Sequence, residues 1–149
     1  VKDRPDTAVE LRARALRLLA RREHSPLELE RKLRPHAESP EALAGLISGL
    51  IARNQLSEAR YAEERVRWLA RKYGAAKIRH DLKSKGVDPS IVERISPADD
   101  LQRAAEILKR KFRAPAATRE ERARRMRFLQ SRGFSSEIIY QLVSARDLA

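Results

Sequence analysis

Cysteine is absent from the 149 residues, which excludes a disulfide framework, thiolate chemistry and the familiar cysteine-containing zinc patterns. Histidine occurs three times, at His24, His36 and His80, and these are too far apart for their spacing to indicate a metal site. Glycine is scarce: the five residues are isolated, and no glycine-rich phosphate loop can be built from them. No apolar run approaches the roughly eighteen residues of a membrane span. No signal-peptide pattern opens the chain either, so a soluble cytoplasmic protein without membrane contact is expected. The chain begins at Val1, not Met, which leaves room for a preceding segment. Alternation of apolar and polar residues is also missing, and the expected fold is entirely helical. The paired carboxylates Glu63–Glu64, Asp99–Asp100 and Glu120–Glu121 are read as first-turn residues that complement helix dipoles. No acid and base pair emerges from the spacing, so neither an enzyme nor a cofactor or metal is expected.

What is present is positive charge. Lys and Arg number 33 against 21 Asp and Glu, a net +12, which favours nucleic acid, an acidic protein surface or an anionic membrane as partner. The excess is uneven. Between Arg65 and Lys85 eight basic residues face only Asp81, and Trp68 and Tyr73 are interleaved with them. A solvated helix face is the plain reading of such a run; the aromatic residues argue for a binding role.

The chain also repeats itself. Leu82 to Ile95 reads LKSKGVDPSIVERI and Leu129 to Leu142 reads LQSRGFSSEIIYQL. In each, a glycine (Gly86, Gly133) able to take the left-handed conformation closes one helix, and the next apolar residue (Val87, Phe134) folds back on it. A capping residue (Asp88, Ser135) then opens the next helix. A weaker copy runs through Leu33, Ala37, Ser39, Pro40, Ala42, Leu43 and Leu46, where Ala37 replaces the glycine and the turn must close differently. Three copies about fifty residues apart signify a tandem repeat.

Other helix starts are equally legible. Thr7 with Glu10, Ser25 with Glu28 and Thr118 with Glu121 have capping-box spacing. Ser25, Ser39 and Ser96 each precede a proline suited to the first helical position. With Ser57 and Gly74 these predict nine helices, over residues 7–23, 25–36, 40–53, 57–73, 75–85, 89–95, 97–113, 119–132 and 136–146. They group as three three-helix repeats, 1–54, 55–96 and 97–149. Core stripes run through Leu11, Ala15, Leu18 and Leu19; Leu29 and Leu33; Val66, Leu69, Ala70 and Tyr73; Ile78 and Leu82; and Met126 and Leu129. Phe128 lies off its stripe and either packs between repeat units or is an exposed contact; packing is the preferred reading. The segment Arg113 to Thr118, RAPAAT, is a linker candidate, the alternative being an ordered turn.

Three stretches carry a family resemblance: LLARREHSPLELERKL from Leu18, RYAEERVRWLARKYGAAKIRHDLKSKGV from Arg60, and RRMRFLQSRGFSSEII from Arg124. In their order and spacing the chain resembles the bacterial RecX regulatory proteins over nearly its whole length. The resemblance implies three-helix repeats curving into an elongated arc, and binding to the RecA recombinase and its nucleoprotein filament; the chain itself is expected to be a monomer. The resemblance further implies suppression of filament extension, ATP hydrolysis and strand exchange in recombination and DNA repair, and it offers no catalytic residues.

From charge density alone, the candidate partner or nucleic-acid contacts are Arg65, Arg67, Arg71, Lys72, Lys77, Arg79, Lys83 and Lys85, then Arg122, Arg124, Arg125, Arg127 and Arg132. Weak DNA binding without sequence preference is expected. Arg67 with Arg71 and Arg79 with Lys83 have i,i+4 spacing and avoid the apolar stripes, so all four are expected to be exposed. The rival reading is a helix-turn-helix DNA-binding protein, in which Asp88 to Ile95 would be the recognition helix; beyond Glu93 and Arg94 it has few long polar side chains. A passive helical scaffold is the third.

Overall fold

The computed structural model describes residues 4–147. Among them nine α-helices follow one another without a strand: α1 (Ala8–Arg21), α2 (Pro26–Leu33), α3 (Pro40–Ala52), α4 (Glu58–Leu69), α5 (Ala75–Ser84), α6 (Pro89–Val92), α7 (Asp100–Lys111), α8 (Arg119–Ser131) and α9 (Ser136–Asp147). Short 3-10 turns at Arg34–His36 and Pro97–Asp99 complete the set. No described helix is long and apolar enough to cross a membrane.

The starts follow from their caps. Thr7 Oγ1 accepts the Glu10 N–H at 3.2 Å while Glu10 Oε1 accepts the Thr7 N–H at 3.0 Å, a complete capping box. The other two are modified. Ser25 Oγ accepts the Glu28 N–H at 3.0 Å, but the Glu28 carboxylate turns to Arg22 at 2.6 Å. Thr118 Oγ1 accepts the Glu121 N–H at 3.1 Å, and Glu121 reaches one residue further back, to the Ala117 N–H at 2.7 Å. That bond holds the Glu121 carboxyl below its ordinary pKa. Glu63 and Glu64, read from the sequence as first-turn residues, instead lie in the middle of α4 and are exposed; six or seven residues from the cap they are beyond the reach of the helix terminus.

The ends are equally local. Gly86 (φ 75°) and Gly133 (φ 88°) are left-handed. Val87 N–H donates to the Leu82 carbonyl at 3.0 Å and Gly86 N–H to Lys83 at 3.0 Å. Phe134 to Leu129 (3.3 Å) and Gly133 to Gln130 (3.1 Å) repeat the pattern, so both copies of the phrase form Schellman motifs. Val87 and Phe134 are buried over the helices they follow. At the weaker copy Ala37 is extended and the 3-10 turn substitutes. A left-handed residue also closes α3: Asn54, at φ 59°. Two expected helices are shorter than their pattern. α4 stops at Leu69, where the Lys72 and Tyr73 N–H groups both turn onto the Leu69 carbonyl, and α6 is a single turn.

The chain divides into two compact units, Val1–Glu64 with Leu82–Ile91, and Arg65–Asp81 with Val92–Ala149. In the first, α1, α2 and α3 pack on one another around Leu11, Ala15, Leu29, Leu33, Leu43, Leu50 and Leu56, with Leu18 and Leu19 half-buried beside them. Each fully buried leucine contributes about 2 kcal/mol by leaving water. Segment 82–91 is held to this unit by Ser25 Oγ donating to the Lys85 carbonyl (3.4 Å) and by the Asp88 N–H donating to Glu58 (2.6 Å). His24 is buried here, its Nδ1 3.0 Å from the Arg22 carbonyl and its Nε2 3.0 Å from Lys32 Nζ.

In the second unit α7, α8 and α9 pack around Ala104, Ile107, Leu108, Leu129, Phe134, Ile139 and Val143. Phe128 packs, but against this core and not between repeats, edge-on to Phe112 with centroids 5.7 Å apart. The first turn of α5 is tied in twice: the Gly74 N–H donates to the Arg132 carbonyl at 2.9 Å, and the Ala75 N–H to the buried Asp100 carboxylate at 3.0 Å. The RAPAAT segment is an ordered turn inside this unit, pinned by Glu121 on Ala117 and by Arg125, whose guanidinium donates to the Ala114 carbonyl at 2.7 Å.

Candidate partner and nucleic-acid interface

The second unit carries the chain's one tryptophan on its surface. On α4, Leu69 belongs to the buried stripe and is 5% exposed; Trp68, one residue back and about 100° round the helix, is 57% exposed. Helical spacing places basic residues on the same face. The Arg65 guanidinium, three residues before, lies 5.0 Å from the indole centroid, and Lys72 Nζ, four residues after, lies 5.9 Å away. Arg65 does not hang free. It grips Asp81 with two parallel bonds, Nε at 2.9 Å and Nη2 at 3.0 Å, a bidentate geometry that fixes the guanidinium plane.

Packing of α7 and α8 then adds cations from distant sequence. Trp68, Arg71, Lys72, Ile107, Arg110, Lys111, Phe128 and Arg132 line an open groove of about 500 Å³. Its floor includes Phe128, with Arg132 4.9 Å and Lys111 5.6 Å from the ring centroid. Arg132 also lies 5.3 Å from the Tyr73 ring, and the Arg110 guanidinium donates to the Arg71 carbonyl. Five of the eight lining residues are cationic and none is acidic. Among the described residues none of these five pairs with a carboxylate. Salt screens their positive potential over about 8–10 Å.

Of the residues singled out by charge density, Arg71, Lys72 and Arg132 line this groove and Arg65 supports its tryptophan. Arg67, Lys77, Lys83, Arg124 and Arg127 are exposed elsewhere, and Lys85 and Arg122 are half-buried. The Lys77 stem lies over Gly133. Two expectations are corrected. Arg79 is half-buried, not exposed. Arg125 is 8% exposed and serves the fold: besides its bond to Ala114 it stacks 4.7 Å from the Phe112 ring. It is withdrawn from the contact set.

Arg110 and Lys111 escaped the sequence reading. Their signal, the run Lys109-Arg110-Lys111 ending α7, is what any helix C-terminus favours for its dipole, so only the juxtaposition with Trp68 marks it out. No cluster of three or more potential metal ligands occurs among the described residues.

Comparison with known proteins identifies the family of the chain. Residues 57–94 match the family profile described as RecX, second three-helix domain, and residues 98–143 that of the third three-helix domain. The chain is 44% identical over 140 residues to the regulatory protein RecX of Leptothrix cholodnii, covering 92% of this chain and 89% of that one. It is 41% identical to that of Herbaspirillum seropedicae, with 91% and 90% covered. In fold it is similar to the crystal structure of RecX from Lactobacillus salivarius, with a TM-score of 0.77 at 24% identity over 95% of this chain and 97% of that one. The chain belongs to the RecX family, whose members are regulatory proteins and not enzymes.

Proposed function

We propose that the chain binds the RecA recombinase and its nucleoprotein filament and restrains filament extension, ATP hydrolysis and strand exchange in cytoplasmic recombination and DNA repair. The observation that supports this best is the similarity to regulatory RecX proteins along nearly the whole of both chains. The groove beside Trp68 contributes an uncompensated cationic surface of the kind that meets an acidic protein face or DNA phosphates. On this reading the chain is organised as three three-helix repeats, 1–54, 55–96 and 97–149, and acts as a monomer. Reading of duplex sequence by a helix-turn-helix is disfavoured, because α6, which would be the recognition helix, is one turn long.

The test is titration of the protein into RecA assembled on single-stranded DNA, following association and ATP hydrolysis. The triple reversal Arg71→Glu, Lys72→Glu, Lys111→Glu changes exposed residues only and takes the net charge from +12 to +6, two units per replacement. The wild type is expected to bind and slow hydrolysis. The reversal should keep its helical spectrum and lose about tenfold or more in affinity. Absence of association between the wild type and intact filaments would overturn the proposal.

A further inference from the structure

We infer that the groove around Trp68 is a binding site for single-stranded nucleic acid, in which an unpaired base stacks on the Trp68 indole while Arg71, Lys72, Arg110, Lys111 and Arg132 take the flanking phosphates. The inference deepens the function proposed above by naming the ligand of this surface, and it rests on that reading only for its place in biology. The chemistry stands on the groove itself.

Three features carry it. First, the indole is 57% exposed although it sits beside a well-packed core, and it is held by local geometry. Arg65 lies against the ring and is itself fixed by both Asp81 oxygens, so the aromatic platform is ordered before any ligand arrives. Second, the cations line the same groove as the ring, and among the described residues they have no carboxylate partner and the lining holds no acidic side chain that would repel a phosphodiester. Lys72 and Lys111 are exposed and rest over the Trp68 and Phe128 rings, from which flexible stems can swing to phosphate. Third, the groove's volume of about 500 Å³ lies in the range of roughly 300–1,000 Å³ typical of small-ligand sites, enough for a base and its sugar-phosphate neighbours. Stacking platforms ringed by Arg and Lys bind single strands with little sequence preference, since every base has a π-face. Duplex DNA hides those faces, and an acidic polypeptide has no base to stack. The arrangement therefore selects single strands over either.

The chain's one tryptophan makes this directly measurable. Emission excited at the red edge, where tyrosine does not absorb, reports Trp68 alone. Titration with oligothymidylate should quench it saturably. The same strand annealed to oligoadenylate, or poly-glutamate of equal charge, should quench far less. Trp68→Ala, at an exposed position, should weaken oligothymidylate binding about tenfold, measured by anisotropy of a labelled strand, while binding to the duplex changes little. Arg110→Gln with Lys111→Gln should flatten the dependence of log affinity on log salt by about 1.4, or about 0.7 per lost single-strand phosphate contact. Binding of oligothymidylate without quenching, undiminished affinity of Trp68→Ala, or equal quenching by poly-glutamate would each overturn the inference. Because no recombinase is present, failure here leaves association with the filament standing. Failure of that association would likewise leave this site standing.

Discussion

Gly133 is where backbone conformation, packing and the groove meet, so replacing it by alanine tests all three. Its φ of 88° lies in the left-handed region, where a side chain costs about 1–2 kcal/mol. Space is the larger obstacle. A Cβ built on Gly133 would stand 2.4 Å from Lys77 Cγ, 2.9 Å from Lys77 Cβ and 3.0 Å from the Lys77 backbone nitrogen. The Cγ can swing away; the Cβ and nitrogen move only if α5 shifts against the α8–α9 turn. Such overpacking costs about 1–3 kcal/mol, and the two effects together come to about 2–5 kcal/mol. For a chain of this length each kcal/mol lowers the melting temperature by about 2–4 °C, so Gly133→Ala should melt about 4–20 °C below the wild type.

The disturbance should also reach the groove, because the Arg132 carbonyl beside Gly133 accepts the Gly74 N–H, and the Arg132 side chain lies on Tyr73 and Phe128. Gly45 and Gly49 are the controls. Both lie inside α3, where an added Cβ meets nothing within 4 Å, and alanine there should stabilise the helix by about 0.5–1 kcal/mol each. Thermal melts followed by circular dichroism read both signs. A Gly133→Ala protein melting within about 1 °C of the wild type would refute the reasoning, as would loss of stability on Gly45→Ala.

Burial holds the His24 imidazole below its ordinary pKa of 6.5, with the charges of Lys32 and Arg22 acting the same way and the Arg22 carbonyl and Glu28 opposing. The folded state therefore favours neutral His24, and its contribution to stability is complete above 6.5 and lost as pH falls from 6.5 through the folded value. The melting temperature should begin to drop as pH falls below about 6.5, the unfolded value. His24→Gln should show a smaller drop, and an identical profile in the two proteins would refute the assignment. Arg125 is expected to be structural: Arg125→Ala should cost about 1–3 kcal/mol through the orphaned Ala114 carbonyl and the lost contact with Phe112. Arg124→Ala and Arg127→Ala, at exposed positions, should change stability by no more than about 0.5 kcal/mol. Equal melts for the three alanine variants would return Arg125 to the surface set.

How much of this was legible in advance depends on the range of the forces involved. Thr7, Ser25, Ser39 and Thr118 cap the helices they were expected to cap, whereas Ser96 caps the 3-10 turn that precedes α7; Gly86 and Gly133 are left-handed as their repeated phrase implied. Those outcomes depend on hydrogen bonds spanning two to five residues, which sequence spacing encodes directly. The arrangement of Arg65, Trp68 and Lys72 on one face is local in the same sense, set by the helical period. Tertiary structure decided what charge density could not. Side chains with similar basic neighbours in sequence, Arg124 and Arg125, part company because one points to solvent and the other into the turn at Ala114. The Glu28 carboxylate leaves its expected box because Arg22 offers it a charged partner at 2.6 Å. Arg110 and Lys111 reach the tryptophan's groove across about forty residues of chain because the second unit folds the end of α7 back beside Trp68, Arg71 and Lys72. Sequence by itself therefore determined where most of the helices begin and which of their faces are apolar, but not where α4 and α6 end. Which of its many cations stand together around an exposed ring was decided by packing, since a charge acts through space and its neighbours in space are chosen by the core.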